Sequence, residues 1–364
     1  MKKLENFIFL FKKIFQLVSL IIKIEIIKRK KRVLSNNKKA LVVKCSSPFV
    51  FVRYFYIFLK YFSIEGFDIY YPSINYKIIR KSFNLQYFNL IYSEGLISAG
   101  KMNREYDVII ELNDENLSPD YFTSFFMTKI EDTYHIPMSM HPLFYHNSYW
   151  NQSLNLIKKR KKSIFMAGNF ERNAYLKLND TPFNMESRIE VYDYLSDNKM
   201  ITQVKSLKDL EMLLESNNDN MCVILDSFRV DMDKLREVIS NFSFFLALPG
   251  IAMPLSHNLI EALSVGTIPI VHKEYAKIMN PKLEHMKNAI VYSDLADLIS
   301  IMQFAYNLGE DDLLRIKDNV EKYYKENLTP KSVVDQIVSK KYNLFYLQAE
   351  FNSVNILKKN LSKN

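Results

Sequence analysis

The chain is poor in glycine, cysteine and tryptophan: seven, two and one in 364 residues. Two cysteines exclude a disulfide framework, and no Cys/His spacing suits zinc. Cys45 and Cys222 each lie beside a strand-like apolar run and read as small buried hydrophobes, compatible with a reducing compartment. With glycine so scarce, each glycine is expected to meet a backbone requirement. No apolar run of roughly 20 residues goes uninterrupted. No small-residue cleavage site follows the N-terminal apolar segment, so a signal peptide is not expected. Helix-turn-helix, zinc and RNP-type signatures are missing, which argues against nucleic acid as a partner. There is no internal repeat and no clear Asp-x-Asp metal motif.

What the chain has is a hydrophobic fraction of 48%, a charged fraction of 24% and a net charge of +9. That composition belongs to globular chains and is enough for roughly two domains. Part of the positive excess is local, in Lys28–Arg32 (KRKKR) and Lys158–Lys162 (KKRKK). Such runs suit nucleic acid, anionic lipid or simple solvation, and solvation is the default for the second. Ahead of the first run, Phe7–Ile27 is rich in Ile, Leu, Phe and Val. Lys12, Gln16, Ser19 and Lys23 form one polar stripe at helical spacing. The pattern predicts an in-plane amphipathic helix over 1–34, drawn to an anionic membrane surface by the basic run behind it. Packing of this helix on its own protein is the competing account.

From Lys39 onward short β-like runs alternate with amphipathic helices. ALVVKC, FDIYYP and YDVIIELND form a first series; SIFMAGN, ITQVKS, CVILDS, FFLALPG, TIPIVH and AIVYSD form a second. Alternation of this kind implies parallel sheets with helices on both faces. The fold class expected is α/β, with two Rossmann-like domains facing a cleft. Their expected bounds are 35–150 and 151–340, with a helical tail over 341–364. Thr329-Pro330 is expected to end one helix and start another. Ligands of such sheets bind beyond the carboxyl ends of the strands.

One loop of the second series draws polar groups together. In LALPGIAMPLSHNLIEALSVGTIPIV (Leu246–Val271) a strand, a Gly-Pro loop, a helix and a strand follow each other. Helical spacing puts Leu255, Leu259, Ala262 and Leu263 on the sheet-facing side. His257 and Glu261, four apart, share the other side with Asn258. Ser256 fits an N-cap whose oxygen satisfies a backbone N–H, and Gly266 fits a helix C′ residue. The free N–H groups of the helix start suit a diphosphate, and Glu261 suits ribose hydroxyls. Gly250 permits close approach. Capping and packing alone explain Ser256 and Gly266, but not His257, Asn258 and Glu261 as a group.

These residues resemble the donor-site segment of exostosin-like and related GT-B glycosyltransferases, whose pattern runs aromatic-rich strand, Pro/Gly loop, Ser, Glu-Ala-Leu, Gly, small-Ile-Pro. SIFMAGNFERNAY resembles the first strand of their second domain, ending F-x-G with a nearby Arg. The two segments cover about fifty residues; the N-terminal half carries no such motif. The multiple cysteines common in eukaryotic exostosins are absent, so bacterial surface-polysaccharide enzymes are the nearer analogy. The resemblance implies a glycosyltransferase with a nucleotide-sugar donor as co-substrate, no other cofactor and no metal. It implies donor contacts from Gly168, Gly250, Ser256, His257, Asn258 and Glu261. Arg172 becomes the diphosphate clamp, with Arg229 a weaker candidate. The acceptor implied is a glycan or glycolipid, lipid-linked or of a surface polysaccharide, and the enzyme sits on the cytoplasmic face of the membrane. Candidates for the general base are His135, His141, Asp114 and Glu115, with His146 in the same cluster, none distinguished; Arg53 and Ser46-Ser47, at the first βα turn, suit the acceptor side or turn and cap roles equally. A non-catalytic GT-B-like scaffold or binding subunit of a polysaccharide assembly complex is the alternative.

Overall fold

The computed structural model describes residues 38–363 apart from 83–84, 101, 103, 128–129, 155–158, 176–177, 179–180 and 252. It also describes 11, 12, 14, 15, 18, 19 and 22. Most of the expected amphipathic helix, and the whole of Lys28–Arg32, lie outside the described residues. Among those described, no helix is long and apolar enough to cross a membrane. The protein is mixed α/β with parallel sheets, and the chain divides into two compact units. One runs to Pro119 and regains Asp132–Tyr134 and Val334–Ala349; the other takes Asp120–Glu131, His135–Val333 and Glu350 onward.

In the first unit β1 (Lys39–Lys44) is the middle of a three-stranded parallel sheet, between β2 (Asp68–Tyr70) and β3 (Val108–Asn113). The four inner residues of β1 are buried, as a central strand covered on both faces requires. Helix α1 (Arg53–Ile64) follows a short 3-10 turn over Pro48–Phe51, and Val52 at φ 48° separates the two. α1 buries Tyr54–Leu59 and Tyr61–Phe62. Helices α2 (Tyr76–Ser82) and α3 (Gln86–Ser93) were not apparent from periodicity. A small sheet of order β4-β12-β5 joins Leu117–Ser118, Leu344–Tyr346 and Thr133–His135. The segment read as a purely helical tail therefore begins with a strand. Three residues are too few to show a period of two.

The second unit is built on six parallel strands: β6 (Lys161–Ala167), β7 (Ile201–Gln203), β8 (Cys222–Leu225), β9 (Phe242–Ala247), β10 (Ile268–His272) and β11 (Ile290–Tyr292). Their order is β11-β10-β9-β6-β8-β7. Every strand of the second series in the sequence is present. The chain leaves β6 toward β7 and β8, then returns past it to β9, β10 and β11. The order thus reverses between β6 and β9, and the carboxyl ends of those two strands define the switch point where such sheets take ligands.

Helix α4 (Pro142–His146) stands where the sequence read an extended segment, with His141 as its N-cap. Around the sheet lie α5 (Arg188–Asp197), α6 (Leu207–Glu215), α7 (Met232–Ser240), α8 (His257–Leu263), α9 (Lys273–Ile278), α10 (Leu295–Tyr306) and α11 (Glu310–Asn327). After α11 come α12 (Pro330–Ser339), which starts at the expected Pro330, and α13 (Phe351–Leu361). The span His135–Trp150, placed by its sequence in the first domain, belongs to the second unit. Bonds to α7 and α8, set out below, hold it there.

Candidate functional site

The polar groups singled out in the sequence gather at the switch point, with one addition the sequence reading missed. Ser187 and Glu190 form a capping box: the Ser187 hydroxyl accepts from the Glu190 N–H at 3.3 Å, and Glu190 accepts from the Ser187 N–H at 2.7 Å. That box fixes the start of α5 and makes Arg188 its first residue. Helical side chains lean toward the N-terminus, so the Arg188 side chain reaches back over the strand ends. Its Nε donates to the Pro249 carbonyl at 3.2 Å, beyond β9, and a terminal nitrogen donates to the Asn169 carbonyl at 3.1 Å, beyond β6. The other terminal nitrogen lies 3.5 Å from Ser256 Oγ. The guanidinium stands over the rings of Tyr175, at 4.8 Å, and Phe170, at 5.8 Å.

Arg188 is 4% exposed, and among the described residues no carboxylate pairs with it. Burial draws its pKa down from the usual arginine range, opposed by Tyr175 and Tyr275. Position N1 of a helix is also where the dipole disfavours a cation. A buried cation held by carbonyls, a hydroxyl and ring faces, with no carboxylate among the described residues, is costly.

Both glycines of the sequence proposal are close-approach positions. A Cβ on Gly168 would lie 2.5 Å from an Arg188 terminal nitrogen; one on Gly250 would lie 2.7 Å from the Met253 carbonyl. Gly168→Ala is therefore expected to displace the guanidinium and to weaken any anion bound there. A comparison of nucleotide affinity in Gly168→Ala and wild type measures this, and equal affinity would contradict the placement.

Helix α8 carries the rest. Ser256 occupies the N-cap, yet its side chain makes no cap bond: Oγ donates to Asn258 Oδ1 at 2.5 Å. The cap reading of that hydroxyl is thus corrected; the nearby amide oxygen takes it instead. The Ser256 N–H donates to the buried Tyr275 hydroxyl at 2.7 Å. Asn258 Nδ2 donates to the Ala167 carbonyl at 3.3 Å, fastening α8 to the end of β6. Gly266 closes the helix at φ +69°, with Gly266 N–H to Leu263 O and Thr267 N–H to Ala262 O, a Schellman turn as expected. Since α8 has only seven residues, its dipole is a weak anion site, and Arg188 is the stronger positive group.

Glu261 does not face solvent; it is 4% exposed. The helix is buried on both sides, because the loop before α4 covers the side that the sequence reading left open. His141 donates its backbone N–H to Glu261 Oε1 at 3.3 Å across 120 positions of sequence. Burial lifts the Glu261 pKa to about 7, against the pull of that N–H and of Arg236. His257 Nδ1 lies 2.8 Å from the Ser139 carbonyl, and the His141 and His257 rings meet edge to face at 5.5 Å. Arg236, buried in α7, donates to Ser264 Oγ at 3.0 Å and to the Tyr149 carbonyl at 2.9 Å. These contacts place the His135–Trp150 span in the second unit.

The remaining candidates lie apart from this cluster. Arg172 is committed on the surface, its two terminal nitrogens 2.7 and 2.6 Å from the Asp193 carboxylate. It rims a hollow of about 430 Å³ that is also lined by Asn169, Ile189, Tyr192 and Asp226. Arg229 is exposed in the loop after β8. His135 is buried against Tyr121 and Phe125, with Nε2 2.8 Å from Ser124 Oγ, a packing role. His146 is exposed at the end of α4. Asp114 and Glu115 belong to the first unit; Asp114 accepts the Ser46 N–H, and Glu115 sits in a turn donating its N–H to Asn113. In that unit the Arg53 guanidinium lies over the Tyr87 ring.

Both cysteines are buried and free, and burial pushes each thiol up to about 12. Among the described residues no three His, Cys, Asp or Glu side chains gather as a metal-ligand set. The triplet Asp231-Met232-Asp233 opens α7 as cap position and first-turn acid.

No protein-family model matches the chain, and no curated protein matches it. Solved structures similar to it include glycosyltransferases and sugar-phosphate synthases. One is a glycosyltransferase from Rickettsia africae ESF-5: 12% identity, TM-score 0.36, 84% of this chain and 98% of that one. Another is HepE of Anabaena in complex with UDP: 11%, 0.31, 82% and 78%. A third is sucrose-phosphate synthase from Thermosynechococcus elongatus: 12%, 0.35, 82% and 71%. The exostosin-like family stays a resemblance of two segments.

Proposed function

We propose that the chain is a GT-B-type glycosyltransferase that holds a nucleotide-sugar donor at the switch point of its second unit. One observation carries the reading: Arg188, buried with no carboxylate partner among the described residues, bridges the loops after β6 and β9. A donor diphosphate supplies the anion this guanidinium lacks. A charge-assisted fork to the diphosphate strengthens as the leaving group gains charge, which favours departure of the nucleotide. Asn258, His257 and Glu261 supply hydrogen bonds to the ribose or the sugar. In this reading Arg188 takes the role given to Arg172 in the sequence. His141, whose backbone N–H bonds Glu261 and whose ring meets that of His257, is the first candidate to test as general base.

The test is calorimetry of the full chain with UDP, GDP, CMP and ADP, followed by product analysis with sugar esters of whichever binds. Saturable binding of one nucleotide is expected; binding of none removes the proposal.

The acceptor we propose is lipid-linked or of a surface polysaccharide, reached from the cytoplasmic face of the membrane. The support is the N-terminal pattern: Phe11, Phe15, Val18 and Ile22 recur on one helical face and are 47–71% exposed, ahead of a basic run. Flotation with anionic vesicles, with and without residues 1–34, tests this. Equal flotation would remove it.

A further inference from the structure

The second basic run, left unassigned by the sequence, borders a cavity at the opposite edge of the same sheet. Its volume is about 410 Å³, and Lys159, Arg160, Lys162 and Lys317 contribute to its wall, a size in the range of small-molecule sites. The wall also includes Ser243, next to the start of β9, and Ile268, the first residue of β10, so it lies at the amino ends of the strands. Gly168 and Gly250 are at the carboxyl ends. Strands of five to seven residues at about 3.3 Å per residue separate the two edges by roughly 20 Å.

The charge of the wall is only partly answered. Lys317 pairs with Glu321 at 2.9 Å. The hydrogen bonds of the other three cations go to neutral acceptors or to none, although Glu321 also acts on Arg160 through space. Lys162 Nζ donates to the Leu308 carbonyl at 2.5 Å. Arg160 donates to the Val265 carbonyl at 2.5 Å and to Thr267 Oγ1 at 3.0 Å. Lys159 has no hydrogen-bond or ion-pair partner among the described residues. Two carboxylates, Asp219 and Glu310, share the wall with these three, and Asp219 is engaged by the Lys162 backbone N–H at 3.1 Å. Neutral acceptors satisfy N–H groups without cancelling charge. Leu313 and Leu314 supply an apolar side, Leu314 being 55% exposed.

We infer that this cavity is a second ligand site, separate from the donor site, for a small molecule that carries a phosphate or diphosphate group and an uncharged part. The cations face the phosphate, and the leucines cover the remainder. The site does not depend on the donor reading, since it shares no residue with it.

Inorganic pyrophosphate is the probe, titrated into the full chain by calorimetry with and without saturating nucleotide. The variants are Lys159→Ala/Lys162→Ala, Lys159→Glu alone, and Lys358→Ala/Lys359→Ala on α13 as a control for general positive charge. Expected is a saturable event that persists when nucleotide fills the donor site and weakens about tenfold or more in the first two variants, with the control within about twofold of wild type. Lys159 is exposed and makes no bond among the described residues, so Lys159→Glu keeps the test open if the double variant unfolds. Complete competition by the nucleotide, an equal loss in the control, or no saturable binding would overturn the inference.

Discussion

Replacing Arg188 by methionine is expected to weaken binding of the preferred nucleotide about a hundredfold, or roughly 2.7 kcal/mol. The side chain bridges the loops after β6 and β9, and it is the buried cation at the switch point. Two opposing effects act on stability. Removing the charge relieves its desolvation and its unfavourable place at the start of α5, and no carboxylate is stranded. Against this, the Asn169 and Pro249 carbonyls each lose a donor, about 1–3 kcal/mol if left unsatisfied. Arg188→Lys keeps the charge and loses the fork, so it should fall between methionine and wild type. Calorimetry and urea unfolding on the three proteins separate binding from folding. Unchanged affinity in Arg188→Met would mean that the donor diphosphate sits elsewhere.

Changing Glu261 to glutamine should make the protein more stable at pH 8 and leave it nearly unchanged at pH 4.5. In the folded protein the carboxyl holds its proton up to about pH 7; the ordinary value is 4.5. Between these values the folded state binds more protons than the unfolded chain, so this group lowers stability as pH rises through the window. Above pH 7 the loss is complete, on the order of 3 kcal/mol. Glutamine still accepts the His141 N–H and carries no charge, so the variant escapes the loss. Urea midpoints of both proteins at pH 4.5 and pH 8 give the double difference, which cancels every other titrating group. A difference that does not change with pH would show that Glu261 is ionised in the fold throughout. The same substitution should weaken nucleotide binding about tenfold if Glu261 accepts a ribose or sugar hydroxyl. Stability gained and affinity lost by one change is the signature of a group kept for function.

Much of this site was readable along the chain, because its determinants are local. Ser256 at the helix start and Gly266 in the left-handed turn follow from helix-end chemistry that spans only a few residues. The six strands of the second unit follow from short apolar runs between turn residues. Arg188 escaped because it looks like any charged residue of an amphipathic helix. Its signal was the Ser187/Glu190 capping box, which places it at the first position of α5. Arg172 attracted the clamp role by following Gly168, but Asp193, 21 positions away, takes its guanidinium.

By itself, then, the sequence determined the periodicities, and with them the alternation of strands and helices, the start of α8 and the glycines at tight places. It could not determine which charges are buried, because burial depends on which segments cover which. Tertiary structure alone decided that Glu261 lies under the loop before α4 and holds its proton to about pH 7. The same is true of Arg188, which the meeting of two strand ends leaves buried with no carboxylate partner among the described residues. The physical reason is common to both: desolvation and pairing act between residues far apart in sequence, where no local pattern records them.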